Sequence, residues 1–114
     1  MVKVEGIDLR MIANNLSPYR PIHPGEILKE EIEYRGISQR KLALQMGVAY
    51  SVLNEILNCK RPVTTEYALF FEAALGIDAG IFIRMQSAYN LQVAKKDSKL
   101  NKRLAEIRKS VAVL

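Results

Sequence analysis

The chain of 114 residues is 49% apolar and 25% charged, with a formal net charge of +5, which fits one globular domain with extensions and excludes a disordered or fibrous chain. No apolar run approaches the ~20 residues of a membrane span, and the N-terminus lacks the ordered charged and apolar regions of a secretory leader. A single cysteine, Cys59, excludes an internal disulfide and fits a reducing compartment, so a cytoplasmic location is expected.

Charge is unevenly placed. Residues 1–83 hold nine Lys/Arg against ten Asp/Glu, whereas residues 84–114 hold eight against two. The basic excess therefore lies in the C-terminal segment, where it fits either attraction to a polyanion or a solvated helix face.

Residues 1–22 form an arm. Leu9, Ile12, Ala13 and Leu16 allow a short helix over 7–16, which Ser17-Pro18 and Pro21 end. His23-Pro24-Gly25-Glu26 opens the first firm helix, to about Arg35: proline costs nothing in a first turn, and Glu26 suits the positive end of the dipole. His23, the only histidine, reads as a cap or first-turn residue. Ile27, Leu28 and Ile32 are the predicted buried face; Glu26, Glu30 and Glu33 line another, with Lys29–Glu33 and Glu31–Arg35 as i,i+4 pairs. Gly36 stops the helix.

From Ser38 to Asn58 the pattern is that of a helix-turn-helix. Ser38 is an N-cap, Leu42, Ala43 and Met46 follow at helical spacing, and Gly47-Val48 turns the chain. Val52, Leu53, Ile56 and Leu57 mark the second helix, with Val48, Leu53 and Ile56 filling the angle between the two. Alanine at position 49 leaves that helix without a polar cap. Asn58 or Cys59 must leave it in a left-handed conformation, which costs a non-glycine residue about 1 kcal/mol or more.

Thr64 caps a fourth helix to about Leu75, with Ala68, Leu69, Phe71 and Leu75 facing the core and Phe70 turned away. Gly76-Ile77-Asp78 is a stop and a new cap, and a fifth helix spans Ala79 to about Tyr89. Leu100, Leu104, Ile107, Val111 and Leu114 then recur at steps of four and three, an amphipathic stripe expected to pack on the body or on a second subunit. Lys95, Lys96, Lys99, Lys102, Arg103, Arg108 and Lys109 lie mostly off it. The fold class expected is all-α: a five-helix helix-turn-helix domain with an N-terminal arm and an additional C-terminal amphipathic helix. The predicted units are residues 1–22, 23–78 and 79–114.

In such a motif the second helix enters the DNA major groove with its N-terminal residues at the base edges. Its outward residues are Ala49, Tyr50, Ser51, Asn54 and Glu55. Asn54 can read adenine with a paired donor and acceptor, Glu55 can accept from cytosine unless it pairs with a cation such as Arg61, and Tyr50 can meet a thymine methyl or a phosphate. Gln39 and Arg40 before it, and Lys60 and Arg61 after it, are placed for phosphates. One such domain binds weakly, so a homodimer on two half-sites about 34 Å apart is expected. Phe70, Ile81, Phe82, Met85 and Tyr89 are the predicted dimer contacts.

Taken together, HPGE at residues 23–26, the helix-turn-helix, LNCKRPVT at residues 57–64, and Gln86, Tyr89 and Leu91 in a Gln-x-x-Tyr-x-Leu pattern resemble the HigA family of antidote proteins. These lie within the Cro/C1-type (XRE) regulators, and the resemblance covers about residues 22–92. Cys59 stands where the family usually has glycine, Ala49 where a small polar cap is common, Phe82 near a usual tryptophan, and Phe70 where arginine is frequent. The resemblance implies an antitoxin of a type II toxin–antitoxin module that binds its own operator and a RelE-like mRNA-cleaving toxin. That toxin is usually basic, so the acidic face of Glu26, Glu30 and Glu33 is the expected docking surface. A stand-alone dimeric repressor is the alternative. With one histidine, one cysteine, no metal-ligand cluster and no nucleotide-binding glycine loop in the sequence, neither a cofactor nor an enzymatic role is expected.

Overall fold

A computed structural model describes residues 21–113, so the possible helix at 7–16 and Leu114 lie outside the described residues. The described residues form six helices: α1 (Pro24–Tyr34), α2 (Gln39–Met46), α3 (Tyr50–Leu57), α4 (Thr65–Leu75), α5 (Ala79–Lys95) and α6 (Ser98–Ala112). The expected all-α class and helix order hold.

The helix ends follow local chemistry. Ser38 Oγ accepts from Lys41 N–H at 3.3 Å, and Thr64 Oγ1 accepts from Tyr67 N–H at 3.2 Å, each satisfying one of a helix's unpaired first-turn donors. Gly47 sits at φ +71°, and the Ala43 carbonyl accepts from Val48 N–H at 3.0 Å across the turn. After α3 the same turn is built with cysteine: Cys59 is at φ +64°, and Lys60 N–H donates to the Glu55 carbonyl at 2.8 Å. Ala49 takes the N-cap position of α3 with no side-chain bond, as its chemistry requires.

Leu28, Ile32, Leu42, Ala43, Leu53, Ile56, Leu57, Val63, Ala68, Phe71, Leu75, Ala79 and Phe82 form a continuous core. Helix α1 packs on α3 and α5, α2 on α3 and α4, and α4 on α5. Arg35 closes this arrangement at its edge. Its Nε donates to Glu31 at 2.7 Å, as expected, while Nη1 donates to the Leu75 carbonyl at 2.9 Å and so satisfies the C-terminal end of α4.

Several expectations are corrected. Ile27 and Leu69 are 42% and 51% exposed: each lies at the edge of an apolar stripe wider than the neighbouring helices can cover. Lys29 reaches Asn58 Oδ1 at 3.4 Å rather than serving as the expected partner of Glu33. Helix α5 runs six residues past Tyr89, to Lys95, because no glycine or proline interrupts it. Phe82, a predicted dimer contact, is 1% exposed and meets Phe71 edge-on at 6.2 Å between ring centres. It fills the core and has no surface to offer a partner. Helix α6 touches α5 beside the connecting turn, and no residue of α6 is buried.

Candidate nucleic-acid interface

The outward side of α3 carries a chain of amides. Asn54 Nδ2 donates to Gln39 Oε1 at 3.3 Å, and Asn58 Nδ2 donates to Asn54 Oδ1 at 3.2 Å and to the Asn54 carbonyl at 2.9 Å. Asn54 is thereby fixed from both sides, in a rotamer set by the first residue of α2 and by the end of its own helix. Each amide atom keeps one further hydrogen-bonding site, a donor beside an acceptor. The sequence placed Gln39 and Asn54 on this surface but missed Asn58; its signal was the i,i+4 spacing from Asn54.

Tyr50 and Arg40 form a second unit, with the guanidinium 4.3 Å from the ring centre. Stacking holds a flexible cation over an aromatic face at little cost in hydration. Ser51 is exposed beside them, and Ala49 presents only a methyl group.

Glu55 and Arg61 form the third unit. Arg61 donates to Glu55 Oε1 through Nε at 2.9 Å and through Nη2 at 2.7 Å. These bonds, with the opposite charge of Glu55, raise the Arg61 pKa above its ordinary value. Of the two roles open to Glu55, base acceptor or partner of Arg61, the free chain adopts the pairing. Lys60 is exposed next to it.

A buried cluster behind this surface fixes where the loop after α3 sits. Gln86, 7% exposed on α5, accepts from Val63 N–H at 2.9 Å and donates to Asn90 Oδ1 at 2.9 Å. His23 is the N-cap of α1, its Nδ1 accepting from Gly25 N–H at 2.8 Å, and its ring meets Tyr89 edge-on at 4.9 Å. The expected capping role is correct. The imidazole also hydrogen-bonds the Arg61 backbone, and burial lowers its pKa, with Glu26 and that bond opposing. Gly25 has its own reason: a Cβ there would lie 2.0 Å from the Ile56 carbonyl, so only glycine lets α1 approach α3 this closely. Nothing in the linear pattern marks Gln86 as buried, because its partner Val63 is 23 residues away.

The remaining predicted site residues separate. Glu26, Glu30 and Glu33 border one open depression with Lys29, Leu57, Asn58 and Cys59. Phe70 lies in a groove between α2 and α4 with Gln45, Met46, Ala73 and Ala74. Met85 and Tyr89 line a different groove with Ile22, Ile27, Ala88 and Gln92, while Ile81 is exposed nearby on α5. Phe70 and the Met85–Tyr89 pair therefore line separate grooves. Among the described residues, no three His, Cys, Asp or Glu side chains are grouped to hold a metal, and no helix is long and apolar enough to cross a membrane.

No family model matches the chain. It is 42% identical over 77 residues to virulence-associated protein I of Dichelobacter nodosus, spanning 67% of this chain and 71% of that protein. An addiction module antidote protein of the HigA family from Coxiella burnetii superimposes with a TM-score of 0.67 at 33% identity, over 76% of this chain and 94% of that one. The Pseudomonas aeruginosa antitoxin HigA, solved with the higBA promoter, gives a TM-score of 0.67 at 30% identity, over 75% and 91%. Fold, turn geometry and the polar face of α3 define a helix-turn-helix regulator. The chain belongs to the HigA family of antitoxins.

Proposed function

We propose that this chain is the antitoxin of a type II module. It binds a RelE-like mRNA-cleaving ribonuclease directly, and as a homodimer it represses its own operon. The observation that carries the DNA half is the fixed amide of Asn54, held between Gln39 and Asn58 with a donor and an acceptor still free. In this reading α3 lies in the major groove, where Asn54 reads an adenine and Tyr50 and Ser51 meet neighbouring groups. Gln39, Arg40, Lys60 and Arg61 hold phosphates and set the register. Glu55 restrains Arg61 until a phosphate competes for the guanidinium. The family membership of the chain supports the toxin half, and Glu26, Glu30 and Glu33 offer a basic toxin a complementary surface. This is a binding role throughout, with no catalytic residue.

The test is to express the chain, tagged, from its native operon and ask whether the neighbouring small reading frame co-purifies in fixed proportion and is toxic alone. A complex with a toxic neighbour is the expected result. A chain that shifts its promoter DNA but captures no neighbour would reduce the reading to a stand-alone repressor.

A further inference from the structure

The amide chain on α3 has a fixed donor–acceptor sense, and two groups at its Asn58 end set it. Asn58 Nδ2 donates to the Asn54 carbonyl at 2.9 Å, a group that can only accept. Asn58 Oδ1 accepts from Lys29 Nζ at 3.4 Å, a group that can only donate. Turning the Asn58 amide over would set oxygen against carbonyl and nitrogen against ammonium, so one orientation remains. Its Nδ2, shared with Asn54 Oδ1 at 3.2 Å, then dictates which end of the Asn54 amide lies toward the C-terminus of α3. Asn54 Nδ2 is left facing Gln39 Oε1 at 3.3 Å. An asparagine without such partners has no comparable preference, because its last torsion is broad and close to two-fold.

We propose that Asn58 is a positioning residue for base selection: by holding the Asn54 amide one way up, it makes that amide accept adenine and reject guanine. This rests on the reading above, in which Asn54 meets a base edge. Adenine presents an acceptor, N7, beside a donor, N6, whereas guanine presents two acceptors, N7 and O6. A held amide offers a donor beside an acceptor and cannot turn, so its oxygen confronts O6 when guanine replaces adenine. An amide free to rotate turns that oxygen aside and gives its NH2 to either guanine acceptor. Rejection of the wrong base thus needs a repulsive contact that stays in place, and Asn58, steadied by Lys29 of α1, keeps it there. Asn58 is exposed, so truncating it opens no cavity in the core.

Competition binding of the full chain to its own promoter tests this. Footprinting locates the protected site, and each A·T pair in it is replaced in turn by G·C, with random DNA of equal length as reference. Wild type should prefer adenine at one position, and Asn54→Ala should lose that preference. Asn58→Ala should narrow it about tenfold, partly through tighter binding of the guanine duplex relative to random DNA. Asn58→Asp keeps the size but can only accept, so the Asn54 amide must turn its nitrogen toward the carboxylate; the preference should narrow at least as far. A preference kept at wild-type strength in either Asn58 variant, while Asn54→Ala abolishes it, would overturn the inference and leave the base reading standing. Equal losses on adenine, guanine and random duplexes would also overturn it, since Asn58 would then act on the loop after α3 and not on the amide. No protected site, or a preference that Asn54→Ala leaves intact, would overturn both.

Discussion

Cys59 occupies a backbone position that favours glycine, at φ +64° immediately after α3. Replacing it with glycine should raise stability by about 1 kcal/mol, read as an upward shift of the thermal midpoint; an unchanged or lower midpoint would place the strain elsewhere. Asn54 is the residue whose loss should alter specificity. Asn54→Ala should cost about 1–3 kcal/mol at one operator position, with little change on random DNA; equal losses on both would contradict base reading. The Glu55–Arg61 pair predicts an effect of opposite sign. Glu55→Gln weakens the hold on a guanidinium bonded at 2.7 Å, so affinity for any DNA should rise and the salt slope should steepen by up to one phosphate contact. Titrations at three salt concentrations would settle the slope. These residues were legible in the sequence as types at positions: an amide, a cation and a strained turn. Their pairings were not. Asn54 depends on Gln39 and Asn58, and nothing in the linear order states which amide bonds which.

At the level of single helices, the start of α1 carries more than its sequence suggests. His23, Pro24 and Glu26 read readily as an N-terminus, but Gly25 is explained only by the Ile56 carbonyl above it. Gly25→Ala should therefore push α1 off α3 and destabilise the fold by about 2 kcal/mol or more, visible in chemical denaturation. His23 makes the same junction sensitive to acid. Burial holds its pKa below the ordinary 6.5, so the unfolded chain takes up the proton first as pH falls. The stability contributed by the neutral cap is complete above pH 6.5 and is lost as pH drops through the folded value. His23→Asn, which keeps a capping oxygen but does not titrate, should flatten the fall in thermal midpoint between about pH 7.5 and pH 5. Helix existence and capping were readable because they depend on neighbours within four residues. The exposure of Ile27 and Leu69 and the true end of α5 were not, since periodicity marks a stripe without saying how much of it another helix covers.

Across the whole molecule, the elements form a tight five-helix body with a sixth helix attached by a short turn. With the sixth helix included the structure reaches 57 Å in its longest direction, and the basic C-terminal charge seen in the sequence falls largely on that helix. Gln86 and Tyr89, noticed first as parts of a pattern, tie α5 to the loop after α3 and to the cap of α1. A partner seated on α5 would thus press on the elements that carry Lys60 and Arg61. Helix α5 completes the core of the body through Ala79 and Phe82.

The outward amides and aromatics of α3 hold one another, while Leu53, Ile56 and Leu57 on its other side hold the fold. That separation makes the helix evolvable. On the proposed reading, substitutions at Tyr50, Ser51 and Asn54 would retarget the chain to a new promoter without spending core stability, so a duplicated gene could diverge in its DNA address while inheriting an intact scaffold. A library randomised at those positions should melt near the parental temperature in most members, and differ chiefly in the DNA it selects.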